Sequence, residues 1–229
     1  MASGEAPSEG RAQAQPTERR VVPRPAPRPT PAPDPTVAPR PPAGDVAVVE
    51  GDQRAPDTFT ARLDTTAGNI DIEVHRDWSP HGADRFYTLV REGYFSDVAF
   101  FRVIDGFMAQ GGIHGDPNVA SRWRNRRIPD DPVVQSNRRG FVSFAMAGPG
   151  TRTTQFFINL VDNTRLDGMG FSPFGQVREM SGVTGLYSGY GEGAPSGRGP
   201  AQGRLQAEGN TYLRADFPEL DYIRSASIL

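Results

Sequence analysis

Apolar residues occupy every second position in two neighbouring segments of the chain, namely Phe59, Ala61 and Leu63, then Ile70, Ile72 and Val74. Side chains two apart on a strand share a face, so this alternation predicts two strands that are each buried on one side. Turn-forming residues at positions 66–69 separate the two segments. The pattern therefore predicts a β-hairpin, with ordered structure beginning near Thr58.

The apolar spacing then changes from that of a strand to that of a helix. Ser79 and Pro80 suit an N-cap and a first helical turn, and Gly93 suits the end of a helix. Between them the apolar residues recur every three or four positions, at Ala83, Phe86, Leu89 and Val90. This spacing predicts a helix over residues 80–92.

Short β-like runs separated by Gly, Asn, Asp and Pro make up most of the remaining chain. They cover residues 99–104, 107–110, 141–147, 155–160, 173–177 and 221–228. Many short strands with few helices are typical of a closed antiparallel barrel, so the predicted fold class is mainly β.

The N-terminal part of the chain has a different composition. Between Pro23 and Pro42 ten of the twenty residues are Pro, which prevents both helices and paired strands. We therefore expect a disordered arm rich in Pro, Arg and Ala over residues 1–52, followed by one folded domain over residues 53–229. The arm contains no apolar run long enough for a signal peptide or a membrane span, so direct membrane insertion is not expected.

A stiff Pro-rich spacer ahead of a folded domain favours a periplasmic or exported protein over a cytoplasmic one. A signal or a lipid anchor could then lie outside this sequence. A different use of the arm stays open, in which it is a ligand for the aromatic grooves of other proteins.

Composition excludes several classes of enzyme. The chain has no Cys, and all 25 basic residues are Arg, so thiolate nucleophiles, sulfur-bound zinc and Schiff-base lysines are absent. The three His residues lack metal-ligand spacing, and we expect neither a metal nor a cofactor. A net charge of -2 gives no general attraction to nucleic acid, and the basic residues at 122–127 are interpreted as a solvated loop.

The segment most informative about chemistry is residues 100–112. Alternation along it would bring Arg102, Met108 and Gln110 to one face, so that two polar side chains stand beside apolar ones. Taken singly, large apolar residues such as Phe107 and Met108 are more often simply core.

Three motifs together resemble the cyclophilin family of peptidyl-prolyl cis-trans isomerases. The chain matches F-x-R-x-x-x-x-F-M-x-Q-G-G from Phe100, S-x-A-x-A-G-P from Ser143 and Q-F-F-I from Gln155. The resemblance continues to the last predicted strand and covers about 170 residues. Segments 111–116, 186–193 and 221–223 are similar to a bacterial branch of the family, and the Gly-rich run 189–193 is interpreted as an ordinary loop.

The resemblance implies a closed eight-stranded antiparallel barrel with a helix at each end and an active site in a groove on its outer surface. By position, Arg102 and Gln110 would be catalytic. The residues implied to bind substrate are Phe107, Met108, Ala145, Met146, Gln155, Phe157, Leu166 and Phe171. The implied substrates are proline-containing polypeptides, on which the enzyme would act as a monomer and assist folding.

Three positions depart from the pattern of many family members. Met146 stands where the family usually has Asn, Arg165 where many members have Trp, and Phe171 near a usual His. The Trp contacts cyclosporin, so we expect weak cyclosporin binding here. A rival hypothesis keeps the barrel as a binding module that holds Pro-containing segments without turnover.

Overall fold

The computed structural model describes residues 51–229, so all but the last two residues of the predicted arm, 1–52, lie outside it. The chain forms nine strands, five α-helices and one 3₁₀ helix within that range. The strands are β1 Thr58–Thr65, β2 Gly68–His75, β3 Val98–Ala99, β4 Arg102–Ile104, β5 Met108–Gly111, β6 Phe141–Phe144, β7 Phe156–Asn159, β8 Pro173–Val177 and β9 Tyr222–Ile228. The helices are α1 Pro80–Arg91, α2 Pro117–Trp123, α3 Ser181–Thr184, α4 Gln202–Glu208, α5 Asn210–Asp216 and the 3₁₀ helix Thr164–Met169.

The predicted hairpin is confirmed as β1 and β2. They pair antiparallel from Thr58 opposite His75 to Thr65 opposite Gly68. The buried side chains are those at alternate positions, as the pattern of the sequence predicts.

The predicted helix is confirmed as α1, which ends at Arg91 with Glu92 as its C-cap residue. Its N-terminus is capped differently from the expectation, because the Ser79 hydroxyl makes no capping bond. Instead Asp131, from the loop before β6, accepts hydrogen bonds from the Ser79 hydroxyl and from the backbone N–H groups of His81 and Gly82. A distant carboxylate thus satisfies backbone donors that the helix itself leaves unpaired.

The strands form one antiparallel sheet in the order β3-β9-β1-β2-β8-β6-β7-β5-β4. Its two end strands, β3 and β4, are separated in the chain by Phe100 and Phe101 alone. The segment 98–104 therefore pairs with β9 through its first half and with β5 through its second half, which closes the sheet. Counted as one bent strand, this segment gives the predicted eight-stranded closed barrel.

Residues 99–104 were expected to be one continuous strand, and the structure instead interrupts them at the two phenylalanines. Phe100 packs in the barrel interior and Phe101 in a separate cluster outside it. The interruption lies where the segment leaves β9 for β5, so the bend that closes the barrel replaces regular pairing there.

The barrel interior is a continuous apolar core rich in phenylalanine, with Phe86 of α1 in contact with Phe95, Phe156 and Phe174. Helix α1 packs against β8 and β9. The core uses the inward residues of every long strand, so a ligand site has to lie on the outside.

More helix is present than the sequence pattern predicts. Helices α2, α4 and α5 pack together outside the barrel around Leu205 and Leu213. Each has seven residues, and Gly209 with φ of 61° divides α4 from α5. Helices this short leave little periodicity to detect in a sequence.

Ordered contacts begin before Thr58. The Arg85 guanidinium of α1 donates to the Asp52 carboxylate at 2.7 Å, and the Gln53 and Ala55 backbone N–H groups donate to Thr88 and Asp84. Hydrogen bonds rather than strand pairing hold this segment, which explains why alternation did not reveal it. Within residues 51–229 no helix is long and apolar enough to cross a membrane.

Candidate active site

The candidate site lies on the outer face of the sheet where β4, β5 and β7 run side by side. Arg102 of β4 is opposite Gln110 of β5, which is in turn opposite Phe157 of β7. Neighbouring positions such as Val103 and Ala109 face the interior core. The predicted grouping of Arg102, Met108 and Gln110 on one face is therefore confirmed.

An apolar floor separate from the barrel core underlies this face. Met108, Phe157 and Leu166 are each at most 4% exposed and pack together. Phe107 and Phe171 pack against them while staying partly open to solvent, and the Phe157 and Phe171 rings meet edge to face at 5.6 Å. A slot with aromatic walls and no buried charge suits a small apolar ring.

A cavity of about 330 Å³ opens above this floor. The predicted site residues that line it are Arg102, Phe107, Met108, Gln110, Ala145, Met146, Phe157, Leu166 and Phe171. Gln155 lies just behind, where its Oε1 accepts a hydrogen bond from Gln110 Nε2 at 3.0 Å. The fold thus brings all ten predicted residues together, although their positions span residues 102–171.

Polar side chains form a connected line along one side of the cavity. Arg102 Nη1 donates a hydrogen bond to Gln110 Oε1 at 2.9 Å, and Gln110 Nε2 in turn donates to Gln155 Oε1. Arg102 also lies beside the cavity's aromatic wall, with its guanidinium carbon 5.8 Å from the Phe107 ring centroid. A charged planar donor is therefore fixed next to an apolar slot.

The chemistry available here is hydrogen bonding and apolar contact. Among residues 51–229 no group of three or more His, Asp or Glu side chains is placed to hold a metal ion. The cavity has no hydroxyl nucleophile with a neighbouring His base among its lining residues. Chemistry that works by binding a strained conformation fits this set of groups.

The model of the family described as cyclophilin type peptidyl-prolyl cis-trans isomerase matches residues 60–187, which is more than half of the chain. The chain belongs to this family. The predicted family is confirmed, and with it the isomerase activity and the barrel fold.

Several curated cyclophilin-type isomerases are similar to the chain. The peptidyl-prolyl cis-trans isomerase-like 1 of Rhizopus delemar is 39% identical over 127 residues, which are 53% of this chain and 74% of that protein. The peptidyl-prolyl cis-trans isomerase of Helicobacter pylori is 32% identical over 127 residues, covering 56% of this chain and 77% of that protein.

The fold agrees with that of a solved cyclophilin. The crystal structure of a Cryptosporidium parvum cyclophilin type peptidyl-prolyl cis-trans isomerase matches with a TM-score of 0.56 and 22% identity, over 75% of this chain and 98% of that one. A second crystal structure of that protein was obtained in the presence of the dipeptide Ala-Pro, and it matches with a TM-score of 0.55.

Seven lining residues of this cyclophilin pocket were not predicted from the sequence, and Glu192 is the one among them that binds Arg102. The Glu192 carboxylate accepts hydrogen bonds from Arg102 Nε at 2.6 Å and from Arg102 Nη2 at 2.7 Å. These hydrogen bonds hold the pKa of Glu192 below its usual value. Its only signal in the sequence is an acidic residue between two glycines, in a segment interpreted as an ordinary loop.

Two of the three departures from the family pattern, Arg165 and Phe171, lie at the rim of the pocket. Arg165 is exposed, and its guanidinium carbon lies 4.9 Å from the Phe107 ring centroid. Phe171 completes the aromatic wall beside Phe157. Both substitutions therefore change the rim while the apolar floor is kept.

Proposed function

We propose that this pocket accelerates rotation about X-Pro peptide bonds in flexible polypeptides, with Arg102 as the catalytic donor and Gln110 as its support. The observation that carries the proposal is the fixed Arg102 guanidinium beside an apolar slot of the size and lining that a proline ring needs. The dipeptide Ala-Pro used with the Cryptosporidium parvum relative agrees with this class of substrate.

The reason that such a donor accelerates rotation lies in the amide bond. Its barrier of roughly 18–20 kcal/mol arises because the nitrogen lone pair is delocalised into the carbonyl. In the twisted transition state the lone pair is localised on the prolyl nitrogen and can accept a hydrogen bond. Arg102, which is always charged, would bind that state better than either planar ground state.

The free energy needed for catalysis is larger than one hydrogen-bond donor supplies, so both Arg102 and the apolar slot have to contribute. A millionfold acceleration requires about 8 kcal/mol, because each factor of ten corresponds to about 1.36 kcal/mol. One preorganised charged donor supplies about 3–4 kcal/mol. The remainder is assigned to the proline ring held by Phe107, Met108, Phe157 and Leu166, and to substrate backbone bound by Gln110 and Gln155.

The substrate segment before the proline would lie along Ala145 and Met146, with Phe171 at the rim. The enzyme would work as a monomer and without a cofactor. Cyclosporin would bind weakly, because Arg165 at the rim replaces the family's Trp and offers a hydrated cation in place of an indole.

The decisive test replaces Arg102 with Ala in the full chain. We expect kcat/KM to fall roughly a hundred- to a thousandfold, the scale of losing one preorganised donor. Arg102→Lys should restore little of the lost kcat/KM. Its flexible ammonium group cannot bind Gln110 and at the same time present a planar pair of donors to the substrate. Two-dimensional exchange NMR on a Pro-containing peptide measures the catalysed rate directly.

Arg62→Ala is the matched control, because Arg62 makes a similar two-pronged pair with Asp71 outside the pocket. It should leave turnover unchanged. Activity of Arg102→Ala within about threefold of the parent would remove Arg102 as the donor. If the unaltered chain binds the peptide yet leaves its exchange rate unchanged, the pocket is a binding module and the proposal fails.

A further inference from the structure

The contact between Arg102 and Glu192 is the shortest pair of hydrogen bonds made by the proposed catalytic side chain. Glu192 binds the Nε and Nη2 edge of the guanidinium with both carboxylate oxygens, at 2.6 and 2.7 Å. Gln110 binds Nη1 from the other side at 2.9 Å. Two-pronged carboxylate contacts fix the plane of a guanidinium as well as its position.

A count of donors shows what this arrangement leaves for a substrate. A guanidinium has five N–H donors, and three of those of Arg102 are bonded to oxygen acceptors. One N–H on Nη1 and one on Nη2 remain without an oxygen acceptor, and the weak acceptor Met108 Sδ lies 3.9 Å from Nη1. The remaining Nη2 N–H belongs to the edge of the guanidinium opposite Nε, because the other Nη2 N–H shares the Nε edge that is bonded to Glu192.

The loop around Glu192 is closely built. Glu192 Oε1 also accepts from the backbone N–H of Gly193 at 2.8 Å, and the Glu192 carbonyl accepts from Gly199 N–H at 2.8 Å. A Cβ added at Gly197 would clash with the Glu192 carbonyl oxygen. The chain can therefore fold back against Glu192 only because Gly197 has no side chain.

The same loop is tied to the strands that carry Arg102. The Ser188 hydroxyl donates to Asp105, which lies in the turn between β4 and β5, at 3.0 Å. The pocket is also lined by residues of this loop, namely Gly193, Ala194, Ser196 and Pro200. The loop thus supplies both a wall and an anchor for the catalytic side chain.

From these contacts we infer that Glu192 is the positioning residue of the isomerase: it clamps the Nε edge of Arg102 and directs the opposite edge of the guanidinium toward the prolyl nitrogen. This inference rests on the proposed role of Arg102. Arg102 has a long side chain with several rotatable bonds, so without Glu192 its guanidinium would sample many orientations. Most of these orientations would not direct an N–H group at the prolyl nitrogen, which accepts a hydrogen bond only while the amide bond is twisted. Glu192 touches neither the substrate nor the reacting atoms in this role.

The first test is Glu192→Gln, which keeps the size of the side chain but removes its charge and replaces one of its two acceptor oxygens with a donor NH₂ group. We expect kcat to fall roughly tenfold with KM changed less than about twofold, because the clamp orients the donor without binding substrate. The side-chain ¹H–¹⁵Nε NMR signal of Arg102 should lose the downfield shift and slow exchange that a carboxylate partner confers.

The matched control is Glu208→Gln. Glu208 binds Arg204 through the same Nε and Nη2 edge, at 2.7 and 2.9 Å, on an exposed face of α4. This variant should change the Arg204 signal but not turnover.

The second test moves Glu192 while keeping its carboxylate. Gly197→Ala places a methyl group against the Glu192 carbonyl oxygen, whereas Gly203→Ala meets nothing within 4 Å. We expect Gly197→Ala to lower kcat and change the Arg102 Nε signal, as Glu192→Gln does. Gly203→Ala should do neither.

The outcomes separate this inference from the proposed function. If Arg102→Ala loses activity while Glu192→Gln keeps the parent kcat, Arg102 is the donor but Glu192 does not position it, and the inference is overturned. A loss that appears in KM alone would overturn it as well, because Glu192 would then be a binding residue. If Arg102→Ala stays active, the proposed function of Arg102 fails first.

Discussion

Two arginines face the same aromatic ring at the pocket rim. The guanidinium carbon of Arg102 lies 5.8 Å from the Phe107 ring centroid and that of Arg165 lies 4.9 Å from it. Arg102 is held by oxygen acceptors on two sides, whereas Arg165 is an exposed side chain that lies over the ring. Arg165 therefore shapes what can approach Phe107 from solvent.

Replacing Arg165 with Trp should tighten cyclosporin binding by at least about tenfold, because an indole adds apolar contact and one N–H donor at the rim. Peptide turnover should change much less, since short substrates depend on the slot below. Fluorescence titration with the drug and exchange NMR measure the two effects. Arg224→Trp, on the exposed part of β9, is the control.

Tight binding of cyclosporin by the unaltered chain would show that Arg165 does not occupy the position of the family's Trp. The same result would leave the proposed role of Arg102 untouched, because that role does not depend on the rim.

Some residues of the site could be predicted from the sequence and others could not. Alternation alone placed Arg102, Met108 and Gln110 on one face, because residues two apart on a strand share a side. It could not find Glu192, which contacts Arg102 across 90 positions of sequence. A contact between a strand and a distant loop leaves no periodic signal, and family likeness does not assign a role to a position outside its motifs.

At the scale of elements, the start of helix α1 depends on a residue outside the helix. Asp131 accepts from Ser79 and from two backbone N–H groups of the first turn, and it pairs with Arg152 at 3.1 Å. Both side chains of that pair are 2% exposed. Burial alone would raise the pKa of Asp131, but these hydrogen bonds and Arg152 hold it below the usual value.

We expect Asp131→Asn to lower the free energy of unfolding by about 3–5 kcal/mol, because it removes the buried carboxylate that pairs with Arg152 and caps α1, and leaves Arg152 only the more exposed Asp130. Asp130→Asn should cost about 1 kcal/mol or less, since Asp130 is half-exposed. Urea denaturation at several pH values measures both.

The effect of Asp131 should depend on pH in a definite direction. A carboxylate whose folded pKa is depressed stabilises the fold fully above its unfolded pKa, about 3.9, and loses that contribution as pH falls through the folded pKa. The gap between the parent and Asp131→Asn should therefore shrink below about pH 4. A gap that is constant down to pH 2 would exclude the carboxylate as the cause.

Some of the strands and helices could be predicted from the sequence, and others could not. The hairpin and α1 were predictable because their apolar residues repeat over eight or more positions. The bend at Phe100 and Phe101 was not, because both residues are apolar and fit a continuous strand equally well. The bend follows from closure of the sheet, which is a property of the tertiary fold.

For the whole molecule, the contacts of residues 52–55 with α1 tie this segment to the folded domain. Arg85 has a side chain only 6% exposed, and Asp52 is the carboxylate it pairs with. Asp52 is therefore part of the folded domain, whereas the sequence predicted that the domain begins at residue 53.

Deleting residues 1–51 should leave both Tm and turnover nearly unchanged, because the alternating prolines offer little apolar surface to bury. Deleting residues 1–55 should lower Tm by at least about 5 °C, since the buried Arg85 loses its carboxylate. Differential scanning calorimetry compares the two. A drop of several degrees on the shorter deletion would show that the arm packs on the barrel.

The pairing of β1 with β9 has a consequence for the synthesis of the chain. Arg62 of β1 lies opposite Ser227, so the two ends of the domain are hydrogen-bonded neighbours in the sheet. Because the ribosome adds about 5–20 residues per second, roughly 10–30 s pass between the synthesis of β1 and that of its partner strand β9. During that time the hairpin exposes an unpaired edge that could join to another nascent chain. Arg62 and Asp64, on the outward face of β1, place charged side chains along this edge. Charged residues on an exposed edge disfavour intermolecular strand pairing until β9 has been synthesised and pairs with β1.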